Sequence, residues 1–138
     1  MLGIETVHHV SLPVRDLRRS RRFYAEVLGL RELERPPAPN RGAWFGLGDR
    51  QLHLIETREA TFRKNMEIDD LDIHFALRVA SFDGTLAHLL RQGFSFEAGD
   101  ELRRIKRSPP ITGRSERLHI LDPDRNVIEL NTERLDGD

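Results

Sequence analysis

The chain contains no cysteine, which excludes a disulfide scaffold, a thiolate nucleophile and any sulfur-ligated metal. It has almost no lysine: two against 20 arginines, and these cations are scattered among 23 Asp+Glu rather than gathered into a stripe. With a net charge of −1 there is no electrostatic case for nucleic acid or an anionic membrane as partner. Long apolar runs are missing as well. None approaches the roughly 18 residues needed to span a bilayer, and the first residues lack the apolar centre of a signal peptide. The expectation is a cytoplasmic globular protein. At 138 residues it should form one domain, or two small halves sharing a core, and bury about two-thirds of its unfolded surface.

What is present is a repeating order of strands and short helices. Val7 to Val14 alternates and is rich in β-branched residues, which predicts a strand with Val10, Leu12 and Val14 on one face. Asp16 stands at an N-cap position, Phe23, Tyr24, Val27 and Leu28 recur at helical spacing, and Gly29 stops the helix. Leu30 to Glu34, Gly42 to Leu47 and Arg50 to Glu56 read as strands, the last two joined by a tight turn at Gly48-Asp49. Thr57 to Asp70 is charged and patternless, so it reads as a loop. The order then restarts: a strand over Leu71 to Val79, a helix over Phe82 to Gln92 and a short strand over Phe94 to Glu97. Strands over Arg117 to Leu121 and Val127 to Asn131 follow, joined by an Asp122-Pro123-Asp124 turn.

Setting His9 on His74 aligns the two halves with an offset of 65, and setting His53 on Glu129 gives 76. The second half therefore carries eleven extra residues, for which a loop from Ala98 to Glu116 is the natural place. This is an internal βαβββ duplication, weak in identity but consistent in order.

The duplication singles out His9, His53, His74 and Glu129. Each is a ligand-type residue in an apolar strand, His53, His74 and Glu129 between large hydrophobics and His9 between His8 and Val10. Strand side chains alternate faces, so one face of each strand builds the core and the other carries a polar group beside small neighbours such as Ser11 and Ala76. Desolvating an unpaired carboxylate costs several kcal/mol, so Glu129 requires a partner. Three imidazoles and a carboxylate around one divalent cation would satisfy all four; without sulfur the set suits Zn²⁺, Fe²⁺, Ni²⁺, Co²⁺ or Mn²⁺. His8 and His88 read as ordinary surface or core histidines. His119 shares the face of Glu129 if residues 119 and 129 pair, which makes it a candidate proton carrier; Arg117 would share that face and could hold an anionic group. Of Trp44 and Phe45, one faces the cavity and the other the core. Arg18, Arg19, Arg21 and Arg22 on the first helix read as a solvated face.

These segments resemble the vicinal oxygen chelate superfamily, also called the glyoxalase/bleomycin-resistance/dioxygenase family. The similarity is carried by HHVSLPVRDLRRSRRFYAEVLGL (His8 to Leu30), GAWFGLGDRQLHLIE (Gly42 to Glu56), DIHFALRV (Asp72 to Val79) and LHILDPDRNVIEL (Leu118 to Leu130). The resemblance implies an α+β fold of two βαβββ modules, about 5–57 and 70–132 within a single domain, curled into a half-open mixed-sheet trough around a metal. It also implies a homodimer, a small oxygenated substrate, metal ligands at His9, His53, His74 and Glu129, and Glu129 as catalytic base. The expected activity is that of a glyoxalase-like lyase or isomerase, against three alternatives: fosfomycin-type thiol transfer, extradiol dioxygenation, or metal-free drug binding of bleomycin-resistance type. Two departures stand out. His53 replaces the glutamate or glutamine usual in glyoxalases and epimerases, and other members of the family use only a His, His, Glu trio, so His53 could lie near the metal without binding it. The turn reads DPDRN rather than DPDGN, which obliges Arg125 to tolerate its backbone geometry.

Overall fold

The computed structural model describes residues 1–135. It contains two compact units, Met1–Phe62 and Arg63–Asp138. Among the described residues no helix is long and apolar enough to cross a membrane.

The first unit runs β1 (His9–Val14), α1 (Leu17–Arg22), a π-helical turn (Phe23–Val27), β2 (Glu32–Leu33), β3 (Gly42–Leu47) and β4 (Arg50–Glu56). Its four strands lie in the order β1-β4-β3-β2, with β1 parallel to β4 and the other pairs antiparallel. Asp16 caps α1, its carboxylate accepting the Arg19 amide at 3.0 Å. The Leu17 amide, otherwise an orphan of the first turn, donates to Glu56 Oε2 at 2.8 Å, which ties the helix start to β4. The wider turn that follows replaces the regular helical end expected through Leu28, and within it the adjacent Phe23 and Tyr24 are both buried. Tyr24 and Phe45, both fully buried, have ring centroids 6.1 Å apart, in a core that includes Val14, Leu17, Leu52 and Leu54. Gly29 ends the segment in the left-handed region at φ 69°.

The second unit runs β5 (His74–Arg78), α2 (Phe82–Arg91), a 3₁₀ turn (Glu101–Arg103), β6 (Lys106–Ser108), β7 (Arg117–Leu121) and β8 (Val127–Asn131). Its sheet order, β5-β8-β7-β6, repeats that of the first unit. The register repeats as well: Ser11 pairs with His53 as Ala76 pairs with Glu129. The two βαβββ modules are therefore duplicates, and the fold is α+β.

Three expectations need correction. The strand expected from Leu71 begins at His74, and Leu71 and Ile73 are exposed rather than packed. Aspartates cause this: Asp69 Oδ1 accepts the Leu71 amide at 2.9 Å and Asp72 Oδ1 the Ile73 amide at 2.8 Å, so local turns take donors that a ladder would use. The strand expected over Phe94 to Glu97 shrinks to one bridge, Ser95 with Arg104, and the fourth strand of the module is β6, inside the supposed loop. Accordingly the extra residues precede β6. Residues 92–105 join α2 to β6, where the first unit has only 28–31 before β2, while both following loops, 34–41 and 109–116, have equal length.

Residues 57–70 are irregular, as expected, and those from Arg63 onward are firmly attached within the second unit. Arg63, with a side chain 9 % exposed, donates to Asp72 Oδ2 at 2.6 Å and to the carbonyls of Asn65, Glu67 and Arg125 at 2.6–3.1 Å. The arginine's hydrogen bond holds the Asp72 carboxyl below its usual range. Ile68 packs on Leu121 and Val127, with Leu102 at the edge. Arg125 does take the left-handed conformation, at φ 67°, and its guanidinium donates to the Met66 carbonyl at 3.0 Å.

Candidate metal centre

Strands β7 and β8 are buried on both faces. One face carries Leu118, Ile120, Ile128 and Leu130, paired Leu118 to Leu130 and Ile120 to Ile128. The opposite face is apolar at one end, through Leu121 and Val127, and polar at the other. Across that polar end the ladder sets Ala76, Glu129, His119 and Lys106 side by side on β5, β8, β7 and β6. His74 lies two residues before Ala76, hence on the same face of β5. Ala76, directly opposite Glu129, adds little bulk to that face.

His74, His119 and Glu129 each offer a donor atom, and these atoms lie within 4.8 Å of one another. The His74 and His119 rings meet edge to face at 5.9 Å. His74 Nδ1 lies 2.8 Å from the Asp72 carbonyl, an arrangement that fixes the proton on Nδ1 and turns a lone pair on Nε2 outward. His119 is 1 % exposed, and neither ring nitrogen has a hydrogen-bond partner among the described residues. Burial pushes its pKa down; Glu129 and Asp70 oppose this, while His74 and Arg117 add to it. The outcome is a neutral imidazole. Glu129 Oε2 accepts from Asn131 at 2.8 Å. Its Oε1 faces His119 Nε2 at 3.4 Å, Arg117 Nε at 3.5 Å and Arg114 at 3.7 Å.

A divalent cation suits these donors. An imidazole orphaned in the interior is costly unless something takes its lone pair, and neutral nitrogen with carboxylate oxygen is a ligand set common to Zn²⁺, Mn²⁺ and Fe²⁺. Bonds of about 2.0–2.2 Å place the ligands of one ion roughly 3–4 Å apart, so only a small contraction separates this cluster from a coordinating one.

In the first unit, His9 and His53 stack with centroids 4.1 Å apart, and Trp44 stacks on the other side of His53 at 4.2 Å. Trp44 pairs with His53 as His119 pairs with Glu129, so tryptophan holds the place of the second module's buried histidine. Phe45, its neighbour, points to the core. His53 Nε2 meets Gln51 Oε1 at 2.8 Å, and His9 Nδ1 meets His8 Nδ1 at 2.8 Å. Burial, then the neighbouring His9, His8 and Arg35, lower the pKa of His53. Of the five residues singled out in the sequence, the second unit thus brings together His74, His119 and Glu129, and the first brings together His9 and His53. The geometry includes His119 among the metal-ligating distances, where the sequence suggested only proton transfer.

Three partners are not visible from the sequence. Asn131, which holds Glu129, lies at a strand end where asparagine is commonplace. Lys106 and Asp70, 2.8 Å apart, come from segments that read as loops. Their ion pair lowers the pKa of Asp70.

A doubled βαβββ unit with a histidine–carboxylate cluster on one sheet face is an α+β protein with a candidate metal-ligand group. The family model of the glyoxalase/bleomycin resistance protein/dioxygenase superfamily matches residues 6–130, and the chain belongs to that superfamily. Among solved structures it is similar to a glyoxalase family protein from Bacillus anthracis, with a TM-score of 0.73 and 22 % identity over 94 % of this chain and 96 % of that one. The fosfomycin resistance protein FosX of Mesorhizobium loti gives a TM-score of 0.64 at 23 % identity, over 96 % and 94 %. A mutant FosX from Listeria monocytogenes, complexed with Mn(II) and 1S,2S-dihydroxypropylphosphonic acid, gives 0.70 at 16 % identity, over 96 % and 95 %. At these identities the likeness is one of fold.

Proposed function

We propose that this protein is a metal-dependent enzyme of the vicinal oxygen chelate type, acting as a glyoxalase-like lyase or isomerase on a small oxygenated substrate. The observation that carries this reading is the buried, unpartnered His119 beside His74 and Glu129. In it, His74, His119 and Glu129 hold a divalent cation, and the bound cation supplies a Lewis acid for two adjacent substrate oxygens. The protein's own residues do the rest. Asn131 restrains Glu129 Oε2, leaving Oε1 as the oxygen that would take a proton from one substrate carbon and return it to the neighbouring carbon. His74 is oriented by the Asp72 carbonyl. His119, kept neutral by burial, contributes a nitrogen lone pair without adding positive charge.

A second reading, fosfomycin-type chemistry, is favoured by Arg114 and Arg117 beside Glu129, a suitable setting for an anionic substrate. The Listeria FosX mutant, similar in fold and complexed with Mn(II) and a phosphonic acid, also supports it. A cytoplasmic homodimer of the family's usual kind belongs to the proposal, since exposed Leu71 and Ile73 suit burial by a second copy. Light scattering should return a dimer mass; a monomer would refute that part.

The test is activity of the Mn(II)- or Zn(II)-loaded protein on hemithioacetals, on fosfomycin with and without thiols, and on catechols. Turnover of a hemithioacetal, abolished by a chelator and restored by metal, is the expected result. Turnover of fosfomycin alone would replace the first reading with the second. Activity indifferent to chelation would refute both.

A further inference from the structure

We propose that the site recognises an oxyanion, a phosphonate, phosphate or carboxylate group on the ligand, through the guanidinium of Arg117. The charges around the cluster point there. Lys106 is paired with Asp70, and Arg114 lies near both Glu129 and Glu133, at 3.7 and 3.8 Å. The pair in the interior is Glu129 with Arg117, whose side chain is only 10 % exposed. One negative and one positive charge balance; a divalent cation adds two positive charges, and among the described residues the cluster offers no second carboxylate to offset them. That excess rests on the metal reading above. A desolvated positive excess is costly and selects an anion.

The second observation is independent of any metal. Arg117 Nη1 is buried and has no hydrogen-bond partner among the described residues. Buried guanidinium donors are normally satisfied, and their planar fork matches the oxygens of carboxylate and phosphoryl groups. Arg117 pairs with Ser108 across β6 and β7, and lies on the face of His119, two residues away. It is thus set one strand step along from the cluster, in place to hold the anionic end of a molecule whose other oxygens reach the cation.

The experiment is calorimetric titration of methylphosphonate, and separately of acetate, into metal-free and Mn(II)-loaded protein. Wild type, Arg117→Gln and Arg117→Lys are compared, with Mn(II) affinity measured in each. Methylphosphonate should bind the loaded wild type, and Arg117→Gln should weaken it at least about tenfold, the loss expected for one charge-assisted hydrogen bond. Mn(II) affinity should not fall, because the substitution removes a positive charge beside Glu129 Oε1. Arg117→Lys, which keeps the charge without the fork, should fall between. Acetate binding as tightly as methylphosphonate would identify a carboxylate site; markedly weaker acetate binding would identify a tetrahedral oxyanion. No binding of either probe, or equal binding in wild type and Arg117→Gln, overturns the proposal even if Mn(II) is held. If Arg117→Gln does not fold, undiminished binding to Arg117→Lys overturns it instead. Arg117-dependent binding to a protein that holds no Mn(II) would sustain the oxyanion site and refute the metal reading.

Discussion

Replacing Glu129 by alanine is expected to lower divalent-metal affinity by at least about 100-fold, since substitutions one shell further out already cost roughly 10- to 100-fold. Three features make this carboxylate hard to replace. It is 5 % exposed, it is the one anionic donor of the cluster, and Asn131 holds one oxygen so that the other faces His119. Competition of Mn(II) against a chromophoric chelator would measure the loss. The alanine variant should still fold, because Glu129 is surrounded by Arg114, Arg117 and His119 rather than by core apolar groups. Its folding free energy should nonetheless fall, since buried Arg117 loses its carboxylate partner. Unchanged Mn(II) affinity would show that the ion, if bound, is held elsewhere.

The second large effect is expected at Arg63. Its guanidinium joins residues 63–72 to the Asp122–Asn126 turn through Asp72 and three backbone carbonyls, and is almost wholly buried. Arg63→Ala leaves those acceptors short of a charged donor and should destabilise the fold by about 3 kcal/mol, the scale for breaking a buried hydrogen-bonded pair. Arg63→Lys should recover little, because an ammonium cannot reproduce the fork reaching several carbonyls at once. Urea denaturation compares the three proteins. A loss below about 1 kcal/mol for the alanine variant would mean that these contacts are made equally well by water.

This segment also shows where sequence ceases to be informative. Apolar strands bounded by turn residues, β3, β4, β7 and β8, and the first helix with its own cap, Asp16, are local in origin and legible. Arg63 is one of 20 arginines, and nothing in its neighbourhood distinguishes a buried clamp from a solvated charge. Strand β6, Lys-Arg-Ser, has no β propensity to betray it; it exists because β7 offers it an edge, with Lys106 further anchored by Asp70. The converse holds at Leu71–Ile73, where apolar alternation suggests a strand and aspartate side chains take the backbone amides instead.

The candidate site is legible for the same reason as its strands. A histidine or glutamate in an apolar strand is visible in a single sequence, and the duplication puts His74 and Glu129 in matching places with His9 and His53. The role of His119 is not. Its distinguishing property, a ring enclosed with both nitrogens unpaired, is created only when β7 is walled in by its neighbours.

The most direct measurement is NMR of the imidazole nitrogens during titration with one equivalent of Mn(II). Paramagnetic broadening should strike His74 and His119 first, leaving His88 sharp. Should those two signals persist at full occupancy, or should no equivalent of Mn(II) be held, the second module's histidine–carboxylate cluster is not a metal centre.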